Sequence, residues 1–369
     1  MADEKQPAES AQAEKTEEQV KQEVAQEARE VRRRTQPYGS GQSATGLQKD
    51  TAGLAEFTRI CNSVRTGIGR MMVGKTEVVE LVLVSLLCEG HILLEDVPGV
   101  GKTMMARSVS ASLGLDFKRV QCTPDLLPAD IVGTSVYNPR TQEFEFRAGP
   151  VMNNIVLTDE INRATPRTQS ALLEAMGEGQ VTVDGTTRKL ERPFLVIATQ
   201  NPIEFEGTFP LPEAQLDRFL MRVNMGYPNP GEEREIVIRR VQGMAPDKLE
   251  SVATKQDVVK AQDAVRTVHV DEDLLRYIVD LIHATRSHND VALGGSPRAS
   301  INLFLASQAL AAVRGRDYVL PDDVQYLAPY ILNHRIVLKP ESQLRGKDGA
   351  DVVKEILERR PLPIEEGVG

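Results

Sequence analysis

The sequence predicts an α/β protein: a parallel sheet of five strands, interrupted by two β-hairpins and followed by an all-α domain. Three observations support this fold class. Short apolar runs alternate with segments of helical periodicity across residues 47–227, which is typical of a parallel sheet covered by helices on both faces. A glycine-rich turn joins the first of these runs to a helix. After the breaker Tyr-Pro-Asn-Pro-Gly at 227–231, the apolar residues recur at helical spacing.

The five predicted strands are short runs rich in apolar and β-branched residues. They lie at 91–94, 117–122, 155–157, 194–199 and 219–223. Two further stretches, 136–146 and 181–187, break the alternation of strands and helices and are predicted to be inserted β-hairpins. In the second stretch, Asp184 followed by Gly185 is a typical hairpin turn signal.

The all-α domain is predicted from five segments whose apolar residues recur at helical spacing. These segments are 232–241, 256–268, 271–288, 297–314 and 321–332, with Asp271 and Ser296 as expected N-caps. The chain is therefore divided into a disordered charged tail and linker (1–46), an α/β core (47–227), the all-α domain (228–340) and a charged C-terminal extension (341–369). We expect this extension to be weakly ordered because its composition is charged.

Composition narrows the classes of function. The chain has 369 residues, a net charge of −9, no tryptophan and 4% aromatic residues, so a general nucleic-acid-binding surface is not expected. Its three cysteines show no CxxC spacing and its five histidines no paired spacing, which argues against a zinc site or a disulfide framework. The polar N-terminus and the lack of an apolar run of about 18 residues predict a cytoplasmic protein without a membrane span.

The glycine-rich turn after the first strand has the residues that a phosphate-binding loop needs. Gly99 and Gly101 let the backbone curl around phosphates without Cβ clashes. Lys102 supplies a positive charge, and Thr103 supplies a hydroxyl ligand for Mg²⁺. Asp96 stands where the standard spacing has a further glycine, but the preceding strand and the following helix favour a nucleotide site over a chance turn.

Polar residues at the ends of two other predicted strands supply the remaining chemistry. Asp159 and Glu160 follow the strand at 155–157; we expect Asp159 to hold Mg²⁺ and Glu160 to orient and deprotonate the attacking water. Asn201 follows the strand at 194–199, where its amide can contact both the γ-phosphate and the water. Together these residues predict hydrolysis of ATP with Mg²⁺. The alternative is a nucleotide switch that binds without hydrolysis, and Glu160 argues against it.

Four segments carry a family resemblance that covers residues 47–338. They are LEDVPGVGKT at 94–103, DEINRA at 159–164, ATQNP at 198–202 and PLPEAQLDRF at 210–219. In these segments the chain resembles the AAA+ ATPases and, among them, the MoxR family, whose members often lack the first loop glycine. The resemblance implies a P-loop AAA+ core followed by an all-α lid domain. The predicted hairpins resemble the inserts of the group that includes magnesium chelatase and replicative helicase relatives.

The resemblance also implies roles for individual residues. Asn201 matches the sensor 1 amide, and Arg298 matches the sensor 2 arginine, which would reach the nucleotide from the lid. Arg218 matches the arginine finger that reaches a neighbour's nucleotide, with Arg163 as a rival candidate. The implied catalytic residues are Lys102, Glu160, Asn201, Arg218 and Arg298, and the implied Mg²⁺ ligands are Thr103 and Asp159. The implied nucleotide-binding residues are Val73 and Gly74 at the adenine, Pro98, Gly99, Val100, Gly101, Lys102, Thr103, Met104, Asp159 and Arg298.

For function, the resemblance implies a remodelling chaperone. A finger from a neighbouring subunit would make hydrolysis depend on assembly into a homo-oligomeric, hexameric ring. Turnover of ATP would then mature or activate a partner protein complex, including partners with a von Willebrand factor A domain. Two alternatives stay open, a nucleic-acid motor related to helicases and a motor subunit like that of magnesium chelatase.

Overall fold

The computed structural model describes residues 44–47, 50–96, 99–201, 207–243 and 249–360. The tail and linker predicted at 1–46 therefore lie outside the described residues, apart from 44–46. Pro98 of the predicted nucleotide-binding set and the end of the C-terminal extension, 361–369, also lie outside them.

The first half of the chain alternates helices and strands. Its elements are α1 (Thr51–Met71), α2 (Thr76–Leu87), β1 (Ile92–Glu95), α3 (Lys102–Ser112), β2 (Phe117–Gln121), α4 (Pro128–Val132), β3 (Gly133–Asn138), β4 (Glu143–Ala148), β5 (Ile155–Asp159), α5 (Pro166–Glu178), β6 (Gln180–Val183), β7 (Thr186–Lys189), β8 (Leu195–Gln200), α6 (Glu213–Leu216) and β9 (Met221–Val223). Short 3₁₀ turns lie at Pro150–Met152 and Ile161–Arg163.

Five of these strands form one parallel sheet in the order β2-β5-β8-β1-β9, which confirms the predicted fold class. In its register Ile92 of β1 pairs with Ile197 of β8 on one side and with Met221 of β9 on the other. Both predicted hairpins are present as antiparallel pairs, β3 with β4 and β6 with β7. The second one turns at Asp184 and Gly185, which have φ values of 52° and 75°; this left-handed conformation is why Asp-Gly is favoured there.

The sheet separates two hydrophobic clusters because alternate side chains of a strand point to opposite faces. Ile92 and Leu94 of β1 belong to the larger cluster, with the helices α1, α2 and α3, whereas Leu93 lies in the smaller cluster with Leu172 of α5. All of these side chains are almost completely buried. The larger cluster continues into the second half of the chain, so the core has no break at residue 227.

The second half of the chain is mainly helical. Its elements are α7 (Pro230–Val241), α8 (Lys255–Val265), α9 (Glu272–Ser287), β10 (Val291–Leu293), α10 (Pro297–Val313), α11 (Pro321–Leu332), β11 (Val337–Leu338), α12 (Pro340–Leu344) and α13 (Gly349–Arg359), with a 3₁₀ turn at Asn333–Arg335 before β11. The predicted helices are present, and Asp271 caps α9 by accepting a hydrogen bond from the N–H of Asp273 at 2.9 Å. Among the described helices, none is both long and apolar enough to span a bilayer.

The predicted helical domain is confirmed, with one small addition: β10 and β11 form a short antiparallel sheet in which Val291 pairs with Leu338. One expectation for this half was wrong. The extension is not weakly ordered up to residue 360, because α13 buries Val352, Val353 and Ile356 in the larger cluster. Its charged residues lie on the other side of an amphipathic helix, so composition alone misled the prediction.

The predicted division of the chain at residue 227 stays a prediction. Helix α8, which falls in the predicted second domain, packs against α1 and α2 of the first. The buried amide of Gln262 in α8 donates a 2.7 Å hydrogen bond to the carbonyl of Leu86 at the end of α2. A helix assigned to the lid by sequence order thus contributes to the core under the sheet.

Candidate nucleotide-binding site

A cavity of about 290 Å³ lies at the carboxyl ends of β1, β5 and β8. The strand order brings these ends together, because parallel strands all finish at the same edge of a sheet. The predicted residues that line this cavity are Gly99, Gly101, Lys102, Thr103, Met104, Asp159, Glu160 and Asn201. Motifs separated by 99 residues, from Lys102 to Asn201, therefore meet in one pocket.

The loop before α3 has the backbone geometry of a phosphate cradle. Gly99 and Gly101 have φ values of 87° and 96°, a conformation that residues with a Cβ rarely adopt. Gly101 is the N-cap of α3, and the first residues of that helix face the cavity. The N–H groups of a first helical turn have no intrahelical acceptors and favour anions, so this end of α3 is suited to phosphate. Val100 does not line the cavity and packs on the larger cluster instead.

Asp96, which replaces the expected glycine, has a structural role at the base of the loop. Its Oδ2 accepts hydrogen bonds from the N–H groups of Met225 at 2.5 Å and Gly226 at 2.7 Å. Lys75 holds the same segment, because its Nζ donates to the carbonyls of Met225 at 2.6 Å and Gly226 at 3.0 Å. The start of the loop, directly after β1, is therefore hydrogen-bonded to the chain that follows β9.

Lys102 reaches back across the loop and donates from Nζ to the carbonyl of Asp96 at 2.8 Å. Its partial burial lowers the pKa of its ammonium group, and Asp96, Asp159 and Glu160 oppose that shift. The charged form is therefore supported by three carboxylates around the cavity. A bound phosphate group would replace these carboxylates as the main partner of the ammonium group, because phosphate carries more negative charge.

Asp159 is the last residue of β5 and is almost completely buried. Its Oδ2 accepts a 2.6 Å hydrogen bond from Nε of Arg119, and its Oδ1 accepts one from the Thr199 hydroxyl at 3.3 Å. Oxygen donors from Asp159 and Thr103 line the same cavity. This all-oxygen set fits Mg²⁺, which prefers carboxylate and hydroxyl ligands and keeps several waters.

Glu160 has a strained backbone and a well-defined set of partners. Its φ and ψ angles are 55° and 53°, which is unusual for a residue other than glycine. The backbone N–H of Glu160 donates to the Thr199 hydroxyl at 2.9 Å, which ties β5 to β8. Its carboxylate accepts hydrogen bonds from Gln121 at 2.9 Å and from Arg163 at 3.1 Å. Strain of this kind is often found at functional sites.

Sequence reasoning missed Arg119 and Gln121, which line the cavity from β2. Both project from the same side of the strand, and Arg119 also donates to the Gln121 side chain at 3.0 Å. Gln121 pairs in register with Asp159, so Arg119 and Gln121 stand beside Asp159 at the end of β5 and the following Glu160. The only signal was a pair of polar residues two apart in a strand, which is equally typical of a solvated strand edge.

With this geometry in hand, the chain can be compared with known proteins. The family model described as "ATPase family associated with various cellular activities (AAA)" matches residues 91–221, and the AAA lid domain model matches residues 283–356. The Mycobacterium tuberculosis protein named Chaperone MoxR1 is 45% identical over 320 residues, which cover 84% of each chain. This chain belongs to the MoxR family of AAA+ ATPases.

Two other relatives extend the comparison. The Bacillus subtilis protein YeaC is 54% identical to this MoxR-family chain, over 81% of this chain and 93% of its own length. A crystal structure of a candidate ATPase from Cytophaga hutchinsonii is 39% identical, with a TM-score of 0.80, and the match covers 84% of this chain and 97% of the other. The lid model reaches residue 356, so it includes most of α13, in agreement with the ordered C-terminal helix.

The adenine segment expected from the MoxR-family resemblance lies beside the phosphate loop. A Cβ added at Gly101 would be 3.8 Å from the methyl group of Met72, the residue before Val73. Gly74 has a φ of 72°, and a Cβ at this position would collide with the carboxylate of Glu232 in α7. The segment 73–74 therefore lies between the loop and α7 but does not line the cavity, and its contact with adenine stays a prediction.

The two arginines assigned from the family do not reach this chain's own cavity. Within the described ranges, neither Arg218 nor Arg298 is among the residues that line it. Arg218 is exposed and donates to the carbonyl of Leu173 in α5. Arg298 is half-exposed, and its nearest carboxylate is Asp217, 3.9 Å away. The expectation that Arg298 reaches the nucleotide from the lid therefore stays a prediction.

The structure also gathers His288, Asp290 and Glu355, which no spacing in the sequence suggested. Their arrangement could suit a metal, but the ammonium group of Lys347 lies 2.9 Å from Asp290 and 2.6 Å from Glu355. A cation is thus already built into the cluster. We interpret it as an ion-pair network that ties α13 to the loop before β10.

Proposed function

We propose that this MoxR-family protein hydrolyses ATP with Mg²⁺ and uses the turnover to remodel a partner protein complex. The main support is the cavity, in which a phosphate loop, a pair of acids and an amide come from three adjacent strand ends. A chance glycine-rich turn would not have the other two parts of the chemistry beside it.

Each residue has a role in this proposal. Lys102 and the N-terminus of α3 would bind the phosphates, and Thr103 and Asp159 would hold Mg²⁺, whose charge would offset the charge on the phosphate oxygens. Glu160 orients the attacking water and accepts its proton, while Asn201 contacts the γ-phosphate. Gln121 and Arg163 both donate to Oε2 of Glu160, so Oε1 is the oxygen that would accept the proton of the attacking water.

The geometry favours Arg218 over Arg163 as the arginine finger. Arg163 forms an ion pair with Glu160 of its own chain at 3.1 Å, whereas Arg218 is exposed and outside its own cavity. A finger supplied by another subunit raises the rate roughly 10³- to 10⁵-fold, or about 4 to 7 kcal/mol of the barrier. We therefore propose a ring in which each subunit completes its neighbour's site, with six subunits as the family resemblance implies.

In this proposal Arg298 acts together with Arg218 at the boundary between subunits. It pairs with Asp217, the residue before Arg218, and not with any group of its own cavity. We propose that Arg298 also faces the nucleotide of the neighbouring subunit, so that the expected nucleotide contact forms between subunits.

A partner protein is favoured over nucleic acid as the target. The hairpin formed by β3 and β4 exposes three large apolar side chains: Val136 (48%), Tyr137 (50%) and Phe144 (74%). Tyr137 and Phe144 pair across the hairpin on one face, and an exposed aromatic pair of this kind is typical of a protein contact. Arg188, one of the basic residues near the second hairpin, stacks on the Phe146 ring at 3.9 Å. A partner with a von Willebrand factor A domain, the nucleic-acid motor and the chelatase-like subunit stay as hypotheses, as does the cytoplasmic location.

The variant Glu160→Gln tests the proposed reaction. It removes the base but keeps the size of the side chain, so we expect turnover to fall roughly 10²- to 10⁴-fold, while Mg²⁺-dependent binding of ATP persists. Phosphate release and binding of a fluorescent ATP analogue measure the two effects. The same variant should retain partner proteins in affinity capture because it stays in the ATP-bound state.

Glu174→Gln is the matched control, because Glu174 is an exposed glutamate of α5 outside the cavity. We expect this control to hydrolyse ATP at the parent rate. Equal turnover by Glu160→Gln and the parent protein would contradict the proposed chemistry and revive the switch that binds without hydrolysis.

A further inference from the structure

Arg335 is a buried arginine with an unusually complete set of partners. It ends the 3₁₀ turn after α11, and its side chain is 1% exposed. Its Nε donates to Oδ1 of Asp217 at 2.8 Å. Its two terminal nitrogens donate to four backbone carbonyls, those of Asp217 at 3.2 Å, Leu220 at 3.1 Å, Phe219 and Ile331.

Three of these carbonyls and the carboxylate belong to one segment, 217–220, which includes Arg218. His334 adds a contact to the same segment, because its Nε2 lies 3.2 Å from the carbonyl of Phe219. Burial lowers the pKa of His334 well below its usual range, so the ring is neutral at physiological pH. The segment that carries Arg218 is therefore held along its backbone by the turn that follows α11.

Asp217 also contacts the start of α10. Its Oδ2 accepts a hydrogen bond from the Ser296 hydroxyl at 3.3 Å and lies 3.9 Å from the guanidinium of Arg298. Ser296 occupies the N-cap position of α10, yet its side chain makes no capping hydrogen bond. The predicted capping function is thus wrong for Ser296, whose hydroxyl is used for Asp217. The carboxylate of Asp217, the residue before Arg218, therefore contacts both Arg335 and Arg298.

The buried guanidinium stays charged. Burial lowers the pKa of Arg335 to about 10, and Asp217 opposes this shift. A buried charge is costly unless it is paired and fully hydrogen-bonded, and Arg335 meets both conditions. Hydrogen bonds to a rigid guanidinium fork also restrict geometry more than contacts to a flexible ammonium would.

We propose that Asp217 and Arg335 form an anchor that positions Arg218 and Arg298 for the nucleotide of the neighbouring subunit. The anchor links residues 118 positions apart and makes the exposed arginines part of one rigid edge. Asp217 and Arg335 are positioning residues that do not touch the nucleotide themselves. This inference rests on the proposed function, since it requires ATP hydrolysis at a site shared between subunits.

A mixing experiment with the full chain tests the anchor. Asp217→Asn removes the charge but preserves the shape, so we expect turnover to fall roughly 10²-fold because displacement of a catalytic group by about 1 Å has effects of this size. Its affinity for a fluorescent ATP analogue should stay within twofold of the parent value, since its own cavity is intact. Asp280→Asn, an exposed carboxylate on α9, is the control and should behave as the parent protein.

Addition of the inactive Glu160→Gln variant should restore turnover to Asp217→Asn. Each subunit of a ring offers one surface to one neighbour. Arg218 and Arg298 of Glu160→Gln, held by an intact anchor, can therefore serve the intact cavity of Asp217→Asn. In an equal mixture about half of the Asp217→Asn cavities meet such an edge. A mixture of Asp217→Asn with Arg218→Ala should stay inactive, because both variants carry the defect on the same edge.

The controls separate the two levels of the proposal. An inactive parent protein, or no recovery when Arg218→Ala is mixed with Glu160→Gln, would overturn the proposed function itself. If Glu160→Gln restored turnover to Arg218→Ala but not to Asp217→Asn, only the anchor would be overturned. Parent-like turnover by Asp217→Asn alone would also overturn the anchor. Arg335→Lys, which keeps the charge but removes the fork, should repeat the result. If neither anchor variant assembled with Glu160→Gln, the pair would serve the fold alone and the proposal would fail.

Discussion

The phosphate cavity and the arginine edge differ in how they are built. The cavity gathers the ends of three adjacent strands, and its donors and acids face one another within a single chain. The arginine edge, formed by Arg218 and Arg298 with the Asp217–Arg335 anchor behind them, has exposed positive groups, and neither arginine is among the described residues that line the cavity. One region combines donors, acids and an amide around a cavity, whereas the other presents two exposed arginines on a buried support. The difference suggests that the two are halves of a site formed between subunits.

Arg218→Ala should have the largest effect and addresses the comparison directly. We expect turnover to fall roughly 10³- to 10⁵-fold, because the charge that stabilises the transition state is removed, while binding of ATP to the variant's own cavity persists. Steady-state phosphate release and a nucleotide titration separate these effects. Arg276→Ala, an exposed arginine of α9, is the matched control. Turnover within tenfold of the parent value would mean that the arginine edge does not serve a neighbour.

Asp96→Gly should have an intermediate effect, on stability. This change restores the standard glycine of the loop but leaves the N–H groups of Met225 and Gly226 without their acceptor. An unsatisfied buried group costs about 1 to 3 kcal/mol, so the free energy of unfolding should fall by at least that amount. Chemical denaturation measures it. Asp96→Asn keeps an acceptor oxygen and should lose much less; a more stable Asp96→Gly would show that the aspartate is not needed to anchor the loop.

Arg119→Ala should have the smallest effect, on the requirement for Mg²⁺. The guanidinium of Arg119 competes with the metal for Asp159, and its side chain is half-exposed, so the ion pair is worth about 0.2 to 1 kcal/mol. Loss of this competitor should lower the Mg²⁺ concentration for half-maximal ATP binding by up to about fivefold. Arg119→Lys, which preserves the charge, is the control. A higher Mg²⁺ requirement in Arg119→Ala would instead make Arg119 a ligand-binding residue.

Local motifs explain why the residues of the phosphate cavity were predictable. The phosphate loop and the acids at the end of β5 are contiguous segments, and their residue types suit phosphate and Mg²⁺. A parallel sheet also brings the ends of its strands together in any protein of this class. Arg119 and Gln121 were missed because a polar pair in a strand does not reveal which strand lies beside it. Helix α13 was missed because its apolar stripe of Val352, Val353 and Ile356 is embedded in charged sequence.

The sequence by itself determined the fold class, the order of the strands and hairpins along the chain, and most of the residues that line the cavity. These features depend on periodicity and on short motifs, so each is encoded within a few neighbouring residues. Only the tertiary structure decided where the arginines lie and what holds them. Arg335 meets Asp217 because two distant segments pack together, and a buried charge can be placed there only when the folded chain supplies all its hydrogen-bond partners at once.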